Sequence, residues 1–142
     1  MTRFSTLILH IDGSVEGNPG PGAIGVVIED GHGTPVEAWG EAIGHCTNNQ
    51  AEYQALLAAL RKARRLGAKT VAVRSDSQLL VRQFLGEYKV RDAKLKPLHE
   101  EARRLARVFD SFEIIHIPRE QNRAADRLAN RARTRPQGSG AP

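Results

Sequence analysis

The sequence predicts one α/β domain: a five-stranded mixed sheet, three strands antiparallel and two parallel, with helices on both faces. Three observations predict it. Three apolar runs near the amino end are joined by short turns rich in Gly and Asp, which suits an antiparallel meander. Residues Asn49 to Leu66 then carry apolar side chains at helical spacing. Two later apolar runs each follow a helical segment, so they should run parallel to the first strand through right-handed crossovers. The predicted order is βββαβααβα.

The first strand covers Leu7 to Ile11 and ends on Asp12. Side chains alternate along a strand, so Ile8, His10 and Asp12 share one face and Leu7, Leu9 and Ile11 the other. Gly13 should then let the chain turn sharply. Val15 to Gly22 reads as a rigid turn region, Ala23 to Glu29 as the second strand, Asp30-Gly31-His32-Gly33 as a hairpin, and Val36 to Ile43 as the third strand. In the long helix, Ala55, Leu56, Ala59, Leu60, Ala63 and Leu66 form the apolar stripe, Asn49 is the expected N-cap, and Gly67 the stop. Lys69 to Ser75 is the fourth strand and ends at Asp76. Ser77 to Leu85 is a short helix stopped by Gly86, and Pro97 to Val108 another, with Leu98, Ala102, Leu105 and Ala106 inward. Phe112 to Ile117 is the fifth strand, closed by Pro118. Asn122 to Ala132 is the last helix, with Asn122 as its cap. Thr134 to Pro142 is rich in Gly, Pro and Ser and is expected to be a disordered tail, leaving one domain over residues 1–133.

Composition narrows the function. The 142 residues carry a formal charge of +5, which favours polyanionic partners. Cys46 is the only cysteine, so an internal disulfide is excluded and a reducing, cytoplasmic compartment is expected. No run approaches the ~20 apolar residues of a membrane span. Met1-Thr2-Arg3 leads straight into the first strand, so no signal peptide is expected. The chain has neither a Walker nor a dinucleotide fingerprint, which argues against a small-molecule α/β enzyme.

Four carboxylates then attract attention. Ligands of open α/β sheets sit beyond the carboxyl ends of the strands. Asp12 and Asp76 end the first and fourth strands there, side by side if those strands are parallel neighbours. Two carboxylates that close raise each other's pKa unless a cation holds them, and clustered oxygens suit Mg²⁺ or Mn²⁺. Glu52 and Asp126 stand near helix starts. Each also has an ordinary role open to it. Asp12-Gly13 can be simple turn chemistry, Asn49-Gln50-Ala51-Glu52 has capping-box spacing, Asp76 can cap the helix at Ser77, and Asp126 suits the first turn of a helix.

The motifs, in order, are Ile11-Asp12-Gly13-Ser14 with Gly17-Asn18-Pro19-Gly20-Pro21-Gly22, then Thr47-Asn48-Asn49-Gln50-Ala51-Glu52, then Ser75-Asp76-Ser77, then Asn122-Arg123-Ala124-Ala125-Asp126-Arg127-Leu128-Ala129. On the order βββαβααβα, from about Leu7 to Ala132, the chain resembles a type I ribonuclease H and its ribonuclease H-like fold. The resemblance implies an endoribonuclease that hydrolyses the RNA strand of RNA/DNA hybrids. Asp12, Glu52, Asp76 and Asp126 would be both catalytic and metal-binding, holding two Mg²⁺ or Mn²⁺ ions about 4 Å apart. Asp12 would bridge the ions, Asp126 would bind most loosely, and the products would carry 5′-phosphate and 3′-hydroxyl ends. Gly13, Ser14, Asn18, Asn48 and Gln78 would contact the minor groove and its 2′-hydroxyls, and Thr47 a phosphate of the DNA strand. Double-stranded RNA is a further substrate this reading leaves open; no membrane and no obligate protein partner is implied.

Two departures stand out. Only Gly86 to Lys94 occupies the place where longer relatives carry an extra helix and a basic protrusion, so grip falls to Lys89, Arg91, Lys94 and Lys96, for which an ordinary solvated face is an equal reading. The loop Pro118 to Asn122 lacks the histidine many relatives place there. His116 lies in the strand pattern and reads as structural, leaving Arg119 or Glu120 as partial substitutes. The alternatives to an RNA/DNA-hybrid nuclease are a non-catalytic nucleic-acid-binding module on the same fold and a nuclease for structured or double-stranded RNA.

Overall fold

The structure is a computed structural model, and it describes residues 4–134. Its elements follow the predicted order: β1 (Thr6–Val15), β2 (Gly20–Asp30), β3 (Pro35–Cys46), α1 (Asn48–Arg65), β4 (Thr70–Ser75), α2 (Gln78–Phe84), α3 (Lys96–Ala106), β5 (Ser111–His116) and α4 (Arg123–Thr134), with a 3₁₀ turn at Arg119–Gln121. The sheet order is β3-β2-β1-β4-β5. β1 pairs antiparallel with β2 and parallel with β4, β2 pairs antiparallel with β3, and β4 parallel with β5. β1 is therefore central, with the meander on one side and the crossover strands on the other.

The alternation read for β1 decides what covers each face. Leu7, Leu9 and Ile11 are fully buried, with Ile24, Val26 and Ile28 of β2 and Val71 and Val73 of β4 beside them. Tyr53, Leu56, Leu57 and Leu60 of α1 fill that face, each worth roughly 1.5–3 kcal/mol on burial. α3 packs on α1, and Phe84 of α2 meets Phe112 of β5 with ring centroids 5.2 Å apart. α4 covers the opposite face, over β1, β2 and β3.

Two expectations fail locally. Gly13 does not turn the chain: Gly13, Ser14 and Val15 pair with Ile24, Ala23 and Gly22, so β1 runs on past Asp12. The turn is confined to the residues between β1 and β2, where the Glu16 N–H donates to the Pro21 carbonyl at 2.9 Å. α4 also extends to Thr134; residues 1–3 and the rest of the predicted tail, 135–142, lie outside the described residues. Among the described residues no helix is long and apolar enough to cross a membrane.

Candidate active site

The parallel ladder between β1 and β4 ends at the pair Ile11 and Ser75. Asp12 and Asp76 are the next residues on each strand, so they stand side by side at one rim. Glu52 reaches them from α1 because β1 passes unusually close to that helix. A Cβ at Gly13 would lie 2.7 Å from the Glu52 nitrogen and 2.7 Å from the Ala51 carbonyl carbon, which only glycine avoids. Carboxylate oxygens of Asp12, Glu52 and Asp76 consequently lie within 4.8 Å of one another.

Asp126 comes from the other face. Gly25 sits opposite Asp12 in the β1–β2 register, and a Cβ there would strike the Ala125 carbonyl oxygen and approach the Ala129 nitrogen to 2.8 Å. Bare backbone at Gly25, facing the fully buried Ala125 and Ala129, lets α4 settle onto the sheet beside Asp12. Asp126 shares a hydrogen bond with Asp12 and lines the same cavity, about 410 Å³ in volume, as the other three carboxylates.

The electrostatics of this cluster are unfavourable in the protein alone. Asp12 is 4 % exposed. Its burial first, then the charges of Glu52 and Asp76 and the hydrogen bond and charge of Asp126, push it up to about 9. Burial and Asp76 push Glu52 up to about 8 against a hydrogen bond from the Gly13 N–H, with Asp126 adding to the rise. Burial also raises Asp76, opposed by a hydrogen bond from Asn122 and by the charges of Arg119 and His116. The Glu52 Oε1 is buried without a hydrogen-bond partner. Crowded carboxylates and an orphaned buried oxygen, with only oxygen donors present, fit a hard divalent cation.

The structure removes the ordinary roles open to two of these residues. Thr47, not Asn49, caps α1: its Oγ1 accepts from the Gln50 N–H at 3.2 Å, and Gln50 Oε1 accepts from the Thr47 N–H at 2.8 Å. The sequence offers capping-box spacing twice, and the earlier copy leaves Glu52 beyond the first turn and free of any capping role. Ser77, not Asp76, caps α2, accepting from the Leu80 N–H at 3.2 Å.

Asn122 also departs from expectation. Its carbonyl accepts from the Asp126 N–H, but its Oδ1 has no partner and caps nothing. Instead its buried Nδ2 donates to the Ile11 carbonyl at 2.8 Å and to Asp76 Oδ2 at 3.3 Å. It thereby locks Asp76 to the strand that carries Asp12. Sequence reasoning missed this because both partners lie far away in the chain.

Among the expected substrate contacts, Gly13, Ser14 and Asn48 line the carboxylate cavity, together with Arg119 and Asn130. Asn18, Thr47 and Gln78 are not in that lining. Asn18 Oδ1 accepts from the Asn48 N–H at 3.0 Å, so the two asparagines meet. Ser14 Oγ donates to Asn130 Oδ1 at 2.7 Å and accepts from Arg133 Nε at 2.8 Å, a link to α4 that the sequence did not reveal. His116 lies in β5 as expected, though as its last residue; it is exposed and favours the charged form of Asp76. Lys89 and Lys96 flank a separate cavity with Tyr88 and His99.

Comparison with known proteins identifies the family. Residues 10–132 match the family model described as reverse transcriptase-like. The chain is 45% identical to Ribonuclease HI of Halobacterium salinarum over 123 residues, 87% of this chain and 62% of that protein. The crystal structure of RNase H1 from the same organism superposes with a TM-score of 0.88 at 43% identity, covering 89% of this chain and 96% of the other. LC11-RNase H1, solved in complex with an RNA/DNA hybrid, gives a TM-score of 0.84 at 41% identity over 89% of this chain and 96% of the other. The chain also matches the bifunctional protein Rv2228c of Mycobacterium tuberculosis at 42% identity, spanning 35% of that protein's length. With a family match over most of its length and relatives of this kind, the chain belongs to the type 1 ribonuclease H family.

Proposed function

We propose that this chain is a divalent-cation-dependent endoribonuclease that hydrolyses the RNA strand of RNA/DNA hybrids. The observation that carries the reading is the convergence of Asp12, Glu52 and Asp76 within 4.8 Å, with Asp126 closing the same cavity. A surface that only bound phosphates would gain nothing from such a cluster, since carboxylates repel the backbone. We assign the activity to residues 1–133, in the cytoplasm, as the single cysteine suits.

Two Mg²⁺ or Mn²⁺ ions held by the four carboxylates would supply an ionised water as nucleophile and charge stabilisation for the leaving 3′ oxygen. The chain's own part is preorganisation. β1 and β4 fix Asp12 and Asp76, and the packing at Gly13 and Gly25 brings up Glu52 and α4. Asn122 holds Asp76 in place. Arg119, at the cavity rim, places positive charge where the scissile phosphate would enter. Ser14, Asn48 and the backbone of Gly13, beside the carboxylates, would meet the 2′-hydroxyls, with Asn18, Thr47 and Gln78 farther along the duplex. LC11-RNase H1 was solved bound to an RNA/DNA hybrid, which supports this choice of partner.

The test is a substrate comparison. RNA/DNA hybrid, double-stranded RNA and double-stranded DNA of one sequence are incubated with Mg²⁺, with Mn²⁺ and with chelator. Cutting of the hybrid alone is expected, in either cation and not in chelator. Binding of the hybrid without cutting under any cation would replace this reading with that of a binding module.

A further inference from the structure

We propose that Arg123, Arg127 and Arg131, headed by Arg119, form a phosphate track that grips the nucleic-acid backbone where it leaves the carboxylate cavity. The proposal rests on the nuclease reading above and adds to it a surface outside the four carboxylates. The spacing is the first observation: Arg123, Arg127 and Arg131 fall four residues apart on α4, so they lie in one row, and Arg119 precedes them by the same interval on the 3₁₀ turn. All four are exposed. They line one open cavity of about 600 Å³, which shares Arg119, Asp126 and Asn130 with the carboxylate cavity. The two cavities are therefore neighbours, with these three residues on the border between them.

The charge state is the second observation. Arg61, Lys62, Arg82, Arg104 and Arg133 each form an ion pair with a glutamate. Among the described residues, Arg123, Arg127 and Arg131 form none. Glu120 lies in the same lining without bonding to them. Like charges four residues apart weaken a helix, and Arg123 opens α4 at the positive end of its dipole. Arg131, in the last turn, suits the dipole, but the repulsion along the row stands unless a polyanion covers it.

The geometry suits that polyanion. Guanidinium groups bind phosphate through two parallel hydrogen bonds. Arg123 to Arg131 spans about 12 Å of helix, the rise of about four nucleotides of one strand. The groups lining the row are polar and charged, without an aromatic to stack on a base, so the grip is on the backbone and indifferent to sequence and sugar.

The test is binding without cleavage. Anisotropy of labelled RNA/DNA hybrid and of labelled DNA duplex is followed over a salt series in chelator. The proteins are the full chain and its Arg123→Gln/Arg127→Gln/Arg131→Gln variant, with Arg104→Gln as the control for a paired, distant arginine. The triple variant should lose at least about tenfold in affinity for both duplexes, and its log–log salt slope should fall by about 2–3, near one per phosphate contact. Its melting temperature should not fall, and Arg104→Gln should match the parent. Arg127→Gln alone should lower the slope by about one, which keeps the test decisive if the triple variant folds poorly. Unchanged affinity and slope in the variants, with hybrid cleavage intact in the parent, would overturn the track and leave the nuclease reading standing. The expected slope change in a parent that cuts no hybrid would uphold the track and overturn the nuclease reading. Absence of salt-dependent binding by the parent to either duplex would overturn the track.

Discussion

Replacing Asp12 by Asn should stabilise the protein in chelator, and only above acidic pH. The fold holds the Asp12 carboxyl up at about 9 from 3.8. Between those values the unfolded chain releases a proton that the folded chain keeps, so stability declines as pH rises through that window. Below pH 3.8 both states hold the proton and the penalty is gone. At about 1.4 kcal/mol per unit, the interval from 3.8 to neutral pH amounts to at most about 4 kcal/mol. Water entering the open cavity relaxes part of this, so we expect ~2 kcal/mol, or about 6 °C in Tm for a domain of this size. Thermal melts of wild type and Asp12→Asn in chelator at pH 4 and pH 8 provide the assay. The variant should melt higher at pH 8 and equal to wild type at pH 4. Adding Mg²⁺ or Mn²⁺ at pH 8 should then raise the wild-type Tm more than the variant's. A variant that melts at or below the wild type at pH 8 would refute the claim that the carboxylates repel one another across a buried site.

Three further outcomes follow from the same geometry. Asn122→Ala removes the buried hydrogen bond to the Ile11 carbonyl, at about 1 kcal/mol in urea unfolding. It also removes a bond that favours ionised Asp76, so the acid limb of the pH–rate profile should move to higher pH; an unmoved limb would separate Asn122 from Asp76. Gly25→Ala drives a methyl into the Ala125 carbonyl of α4 and should cost about 1–3 kcal/mol. As α4 carries Asp126, kcat should fall at least about tenfold, and normal turnover would show that close packing of α4 is dispensable. His116→Ala should keep most activity, because the residue is exposed and its influence on Asp76 ranks behind those of Asn122 and Arg119; a large loss of turnover in a folded variant would make it catalytic.

The order of elements was legible because each one carries its own local signal. The apolar runs at Leu7, Ala23 and Val71 and the stripe from Ala55 to Leu66 are readable without knowledge of their partners. Asp12 and Asp76 were legible for a related reason: both follow a buried run, and parallel pairing brings the two runs into register. What was misread involves competition or distance. Thr47-x-x-Gln50 and Asn49-x-x-Glu52 have the same spacing; the Thr47 hydroxyl takes the cap, and Glu52 joins the cluster. Asp12-Gly13 looks like a turn locally, whereas Gly13 is bare so that α1 can approach. Gly25 lies inside a strand and Asn122 ahead of a helix, and each meets its partner only after the chain has folded back.

The most direct test of the four-carboxylate nuclease is the chemistry of the cut ends. A hybrid labelled on each strand is incubated with Mn²⁺, and the products are resolved by strand and terminus. The account predicts cuts in the RNA strand alone, leaving 3′-hydroxyl and 5′-phosphate ends, abolished by chelator and by Asp12→Asn. Cutting that survives chelator would contradict it, and so would 2′,3′-cyclic phosphate ends, which would make the RNA's own 2′-hydroxyl the nucleophile.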